Sequence, residues 1–183
     1  RVDVTATLFT RERIELLDEV GFLALPGHQI VARPFELAAL RRLVLRLLAF
    51  WDDQRGDREY PSVRDIDPQA IGDDWPHCHV MALSEPLNES RFQHIGPTLL
   101  SGGTEAGTLT LGQCGEENLL HHATSYIDRV LKKGVPVSIG GEADLSIGTV
   151  LFRSILMPLS DDGSTIDHVF GGANYRLADP DTD

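Results

Sequence analysis

The chain has 183 residues, of which 42% are apolar, and its net charge is −12 because 28 acidic side chains outnumber 16 basic ones. This apolar content is enough for a folded core and excludes a wholly disordered chain. A protein with this negative charge repels phosphate backbones and anionic lipid headgroups. We therefore expect neither nucleic acid nor a membrane as its partner.

Residues 1–33 are predicted to form an N-terminal accessory arm, with a helix that begins after Thr10 and ends at Gly21. Pro34 then begins a long helix, predicted over residues 35–54, because proline suits the first turn of a helix. The apolar residues of this helix recur at steps of three and four, as in a heptad seam. They are Leu37, Leu40, Val44, Leu47 and Trp51.

The long helix, assigned to residues 34–58, carries more apolar surface than one small sheet is expected to cover. Leu43, Leu48 and Phe50 flank the seam and widen it. A strip of this length would be unusual on the surface of a soluble monomer, so the seam predicts a two-fold homodimer interface. The alternative is that residues 1–33 fold back over the strip within one chain.

Residues 59–176 are predicted to form the main domain, followed by a tail over residues 177–183. A short helix begins at Asp67-Pro68 and ends at Gly72, and the longest helix of this part is predicted over residues 116–133. Strands are predicted over five segments, where the sequence pattern changes from helical to β. These are residues 77–83, 90–95, 135–139, 150–159 and 165–170. Asp161-Asp162-Gly163 is predicted as a hairpin turn, and Gly140-Gly141 as another turn.

This order of elements predicts an α+β domain in which helices cover one face of an antiparallel sheet. We expect a single hydrophobic core that joins the sheet to the helix over residues 116–133. Its predicted members on the strands are Val80, Leu83, Phe92, Ile155, Leu159 and Val169.

Three stretches resemble a branch of bacterial PAS-like proteins. They are Leu48-Ala49-Phe50-Trp51 with Arg55-Gly56, the run of residues 61–68 (PSVRDIDP), and the run of residues 156–171 with its LMPLSDDG and DHVFG segments. The resemblance covers roughly residues 40–175. It implies a PAS-like five-stranded antiparallel sheet, with the first strand between the second and the fifth. The chain departs from the family pattern at Gly96-Pro97-Thr98 and over residues 107–112.

The PAS resemblance also implies a non-catalytic sensory or adaptor role in signalling, with a signalling protein such as a histidine kinase as a partner. PAS domains hold small ligands between the sheet and the helix that precedes the last three strands, which is predicted here over residues 116–133. The residues that this layout assigns to a ligand cavity are Phe92, His94, Leu99, Tyr126 and Phe152. The resemblance names no cofactor for this chain.

Histidines give an alternative interpretation, in which the chain is a metal- or haem-binding protein or a metal-dependent enzyme. His77 and His79 lie two residues apart and therefore on one face of a strand. In a PAS-like sheet His94 and His168 would lie on the two neighbouring strands, and imidazoles suit zinc, copper or haem iron. The competing interpretation is that these histidines are scattered. Residues 10–26 are similar to the opening of some iron- and oxoglutarate-dependent oxygenases, but no histidine is followed two residues later by Asp or Glu.

Nucleophilic catalysis is not expected. The sequence has no Gly-x-Ser-x-Gly motif, and Cys78, between two histidines in a predicted strand, lacks the helix N-terminus that would activate a thiol. Two cysteines in a chain of this size suit a reducing compartment, and no apolar run is long enough to cross a bilayer. We therefore expect a cytoplasmic protein that is not an enzyme.

Overall fold

The computed structural model describes residues 7–8, 34–100 and 109–178, with side chains from residue 40 onward. The helix predicted after Thr10 and the oxygenase-like segment lie outside the described residues. The helices are α1 (Pro34–Arg55), α2 (Pro68–Ile71), α3 (Leu119–Thr124) and α4 (Ile127–Lys133). The strands are β1 (Thr7–Leu8), β2 (Cys78–Ala82), β3 (Arg91–Ile95), β4 (Val137–Leu145), β5 (Gly148–Leu159) and β6 (His168–Leu177). No helix in the described ranges is long and apolar enough to span a bilayer.

The described strands form one antiparallel sheet in the order β1-β4-β5-β6-β2-β3. Five strands of five or more residues make its body, and the two-residue β1 adds to the edge of β4. The predicted α+β fold is confirmed. β2 lies between β3 and β6, which is the neighbour order expected from the PAS resemblance. β4 is longer than predicted and contains Gly140-Gly141, so the turn predicted at these glycines is wrong.

The sheet separates two hydrophobic clusters, because successive residues of a strand point to opposite faces. The α3–α4 cluster lies on one face and includes Met81, Phe92, Phe152 and Val169 together with apolar residues of α3 and α4. The α1 cluster lies on the other face. It includes Val80, Ile155, Leu159 and Phe170 together with apolar residues of α1. The single core predicted from the sequence is therefore wrong: Val80, Ile155 and Leu159 do not share a cluster with Phe92 and Val169.

Helix α1 packs on β5 and β6 within its own chain. Leu40, Val44, Leu47 and Trp51 are all buried there, and the Trp51 indole Nε1 donates a hydrogen bond of 2.9 Å to the carbonyl oxygen of Pro158. These four residues are therefore core residues within the chain rather than a dimer interface. The α1 cluster that covers the seam includes Tyr60, and Trp75 packs against it, so residues outside the sheet add to its cover. The Leu37 side chain lies outside the described residues, and the homodimer itself stays a prediction.

The helix predicted over residues 116–133 is divided into α3 and α4. The Thr124 hydroxyl donates to the carbonyl oxygen of Leu120 at 2.8 Å, and the Ser125 hydroxyl donates to that of His122 at 3.0 Å. Hydroxyls that bond to backbone carbonyls in this way compete with regular helix geometry. Tyr126 leaves the helical region, with φ −107° and ψ 18°. The C-terminal end of α4 lies at Lys133, as predicted, and Gly134 follows it in the left-handed region at φ 64°.

Candidate functional site

A cleft of about 400 Å³ opens between the α3–α4 break and strands β4 and β5. The sheet supplies an apolar floor of Ile139, Gly140 and Phe152. The helices supply a wall and a polar rim, made of Tyr126 and of His122, Ser125, Asp128 and Arg129. A concave site with an apolar floor and a few polar groups at its rim is typical of small-molecule binding.

Tyr126 is held firmly in the wall of the cleft. Its side chain is 6% exposed, and its hydroxyl shares a hydrogen bond of 2.7 Å with the Ser154 hydroxyl on β5. Burial raises the pKa of Tyr126 well above its usual value, so the phenol stays protonated. The break between α3 and α4 thus fixes an aromatic ring against the sheet, beside Phe152.

The rim of the cleft carries both charges and an imidazole. The Nε2 atom of His122 donates to the carbonyl oxygen of Glu116 at 2.8 Å, because a carbonyl can only accept, and the ring lies 6.0 Å from the Phe152 ring centroid. Asp128 and Arg129 are exposed. Within the part of the chain that the structure describes, neither side chain forms an ion pair or a hydrogen bond.

The structure places the five predicted ligand residues in three settings. Tyr126 and Phe152 line the cleft. Phe92, on β3, and Leu99 are buried in the α3–α4 cluster and do not line the cleft. His94 lies on the opposite face of the sheet from the predicted cavity, so its assignment to that cavity is wrong.

His94 faces the α1 side because the β2–β3 register shifts by one residue. His94 pairs with Val80 and Phe92 pairs with Met81, so Gln93 is an extra residue that reverses the alternation of faces. The His94 ring stacks on Trp75, with centroids 3.8 Å apart and an interplanar angle of 9°. Burial lowers the pKa of His94.

The four histidines of the metal hypothesis do not converge. His77 lies in the turn before β2, where its Nδ1 is 2.9 Å from the Thr98 hydroxyl. His79 points into the α3–α4 side, 5.9 Å from the Phe92 ring, whereas His94 and His168 pair with Val80 and Leu159 of the α1 cluster. No group of three metal-ligating side chains in the described ranges contains His77 or His79.

His79 is fully buried, and neither ring nitrogen has a hydrogen-bond partner within the described residues. Burial lowers the pKa of His79 from 6.5 to about 3, so the imidazole is neutral near pH 7. The backbone of Gly171 packs closely against this ring, because a Cβ atom there would lie 2.7 Å from His79 Nε2.

A different group of metal-ligating residues lies in the turn between β5 and β6. One ligand atom each from Asp161, Asp167 and His168 lies within 4.8 Å of the others. These groups already bond to one another: Asp167 accepts from the Asp161 backbone N–H at 2.9 Å and pairs with His168 Nδ1 at 2.7 Å. The Ser62 hydroxyl donates to Asp161. The Asp161-Asp162-Gly163 part of this segment was predicted only as a hairpin turn.

The turn also joins the two longest stretches on which the PAS resemblance rests. The backbone N–H of Ser160 donates to the carbonyl oxygen of Pro61 at 2.9 Å, beside the bond from Ser62 to Asp161. Residues 61–68 and 156–171 are therefore neighbours in space, and Ser62 and Asp161 help to hold the two stretches together.

Neither cysteine has the surroundings of a reactive thiol. Cys78 is fully buried, and its Sγ lies 3.2 Å from the carbonyl oxygen of Asp74. Burial raises the pKa of the Cys78 thiol and raises that of Cys114 to about 11. Both thiols therefore stay protonated near pH 7, and Cys78 is a small core residue.

No protein-family model matches the chain, and no curated protein matches it.

Proposed function

We propose that this chain is a cytoplasmic, non-catalytic PAS-type sensory or adaptor domain of bacterial signalling, and that it binds a small molecule in the cleft beside α3 and α4. The observation that carries the proposal is the cleft itself, about 400 Å³ with an apolar floor and an aromatic wall. Its volume falls within the range of small-molecule sites. It lies between the sheet and the helices, where the PAS resemblance implies a ligand.

The hydrogen bonds around the cleft favour binding over catalysis. The Tyr126 hydroxyl is engaged with Ser154, and His122 Nε2 is engaged with the backbone of Glu116. A nucleophilic mechanism needs a base that is hydrogen-bonded to the nucleophile, and the Ser125 hydroxyl donates instead to the carbonyl oxygen of His122. These groups shape a receptor site.

The proposal includes self-association and a protein partner such as a histidine kinase. The apolar seam of α1 is used within the chain, so the surface of α1 that is left for a partner is its outer face. The exposed residues there are Arg42, Arg46, Ala49 and Asp53. Contacts through this face would be polar and sensitive to salt.

Native mass spectrometry of the purified protein tests the ligand proposal and reports oligomeric state in the same spectrum. We expect a small molecule bound at one per chain. Ser125→Trp, which places a large ring at the rim of the cleft, should remove this added mass. Lys132→Trp is the matched control, because Lys132 is an exposed residue of α4 that does not line the cleft, and it should keep the ligand.

The same two variants extend the test to a protein that is purified empty. A thermal-shift screen of small molecules should give stabilising compounds whose effect is lost in Ser125→Trp and kept in Lys132→Trp. Compounds that stabilise both variants equally, or a screen without any stabilising compound, would refute the cleft as a ligand site.

A further inference from the structure

We infer that the cleft selects a small monocarboxylate with an aromatic or aliphatic body, and that Arg129 binds the carboxylate. The inference rests on the proposed function and goes further by naming the chemical class of the ligand. It depends on the placement of one cation beside an apolar floor.

Arg129 starts from the first turn of α4, directly after the break that forms the cleft wall. Its backbone N–H donates to the carbonyl oxygen of Tyr126 at 3.0 Å, which sets the start of its side chain beside that wall. Arg129 is the one Lys or Arg among the cleft residues. Its guanidinium has no partner within the described residues, so all of its donors are available.

The chemistry of a guanidinium beside an apolar floor suits a carboxylate with a hydrophobic body. A guanidinium presents parallel N–H donors that match the two oxygens of a carboxylate. Phe152, Ile139 and Tyr126 line the cleft and are 2%, 8% and 6% exposed, so the body of the ligand contacts only the small exposed parts of these side chains.

Asp128 restricts the charge of the ligand to one. Its carboxylate lies on the same rim as Arg129 and repels a second acidic group. Asp128 also suggests the competing possibility, a cationic ligand. We favour the anion because a guanidinium is weakly hydrated and loses less on partial burial than a carboxylate does. For an anionic ligand, neutralising Arg129 should weaken binding and neutralising Asp128 should strengthen it. For a cationic ligand, both effects should be reversed.

The test uses 3-phenylpropionate and its neutral analogue 3-phenylpropanamide, with binding measured by calorimetry on the full chain at pH 7.5 and low salt. We expect the wild type to bind the acid about tenfold more tightly than the amide, as for a charge-assisted hydrogen bond. Arg129→Gln should weaken the acid about tenfold and leave the amide unchanged. Lys132→Gln removes the same charge from the same helix, outside the cleft, and should change neither affinity. Asp128→Asn should strengthen the acid.

Three results would overturn the inference. They are equal binding of acid and amide, no binding of either, and preferred binding of 3-phenylpropylamine that Asp128→Asn abolishes. The Ser125→Trp variant separates this failure from failure of the proposed function. If Ser125→Trp abolishes the binding of an uncharged compound, either 3-phenylpropanamide or one found in the thermal-shift screen, the cleft remains a ligand site and only the assigned ligand class is wrong. If Ser125→Trp leaves probe binding intact, the site itself is wrong.

Discussion

Replacement of His79 by leucine should stabilise the protein, and should do so more at pH 5 than at pH 7.5. The ring is fully buried in the α3–α4 cluster, and both nitrogens lack a partner within the described residues. An unsatisfied buried polar group costs about 1–3 kcal/mol of stability. Leucine has a similar size and no polar atom, so at pH 7.5 we expect a gain of about this order in the free energy of unfolding.

The additional gain at pH 5 follows from proton binding. Burial lowers the pKa of His79 from 6.5 to about 3, so between these pH values the unfolded chain binds a proton that the folded chain does not. The free energy of unfolding of the wild type therefore falls as the pH drops below about 6.5. At about 1.4 kcal/mol for each pH unit, His79 alone should account for a loss of about 2 kcal/mol by pH 5. His79→Leu should not show this part of the loss.

Urea unfolding at the two pH values, followed by circular dichroism and tryptophan fluorescence, measures both effects. Met81→Leu is the matched control, because Met81 is equally buried in the same strand and cluster but does not titrate. We expect the control to lose as much stability as the wild type on acidification. If His79→Leu also loses as much as the wild type between pH 7.5 and pH 5, the buried neutral imidazole is refuted.

Trp51→Phe removes the 2.9 Å hydrogen bond to Pro158 and leaves a buried carbonyl unpaired, so urea unfolding should show a loss of about 1–3 kcal/mol. A change below about 0.5 kcal/mol would contradict that bond. Leu47→Glu places a charge in the α1 cluster, and we expect loss of the cooperative thermal transition; a folded monomer would instead support the seam as a dimer interface. Arg46→Ala breaks a 2.7 Å pair with Asp74 in which Arg46 is 56% exposed, so unfolding should change by less than about 1 kcal/mol. A larger loss would show that the pair is shielded from solvent.

Local patterns in the sequence were sufficient to predict several of the elements. Strands were predicted where β2, β3 and β5 lie, and the predicted helix end at residue 133 matches the end of α4. Pro34 likewise marked the start of α1. These features depend on residues close together in the chain, which is why a sequence pattern can report them.

The errors came from properties that depend on distant residues. The predicted face of His94 was wrong because the extra residue at Gln93 reverses the alternation of faces, and the neighbouring sequence carries no signal for such a bulge. The cover of α1 was missed because it is supplied by β5 and β6, about a hundred residues farther along. The sequence alone did not show that the sheet would be covered on both faces.

The candidate site was predicted in part. Tyr126 and Phe152 were placed at a ligand cavity through the PAS resemblance, and both line the cleft. Asp128 and Arg129 were not identified, because charged residues on a predicted helix are ordinarily solvent-exposed. The break at Ser125, made by hydroxyl bonds to the preceding turn, brings them to the rim. The adjacent Thr124 and Ser125 were the available signal.

The packing of α1 on β5 and β6 also sets an order of events during synthesis. Trp51 and its acceptor on Pro158 are 107 residues apart, so α1 emerges from the ribosome long before the strands that cover it. Such a non-local contact slows folding, and the apolar face of α1 has no native partner until both strands have been made. A nascent chain stalled before β5 should therefore be a good substrate for chaperones, whereas the completed chain should fold without them.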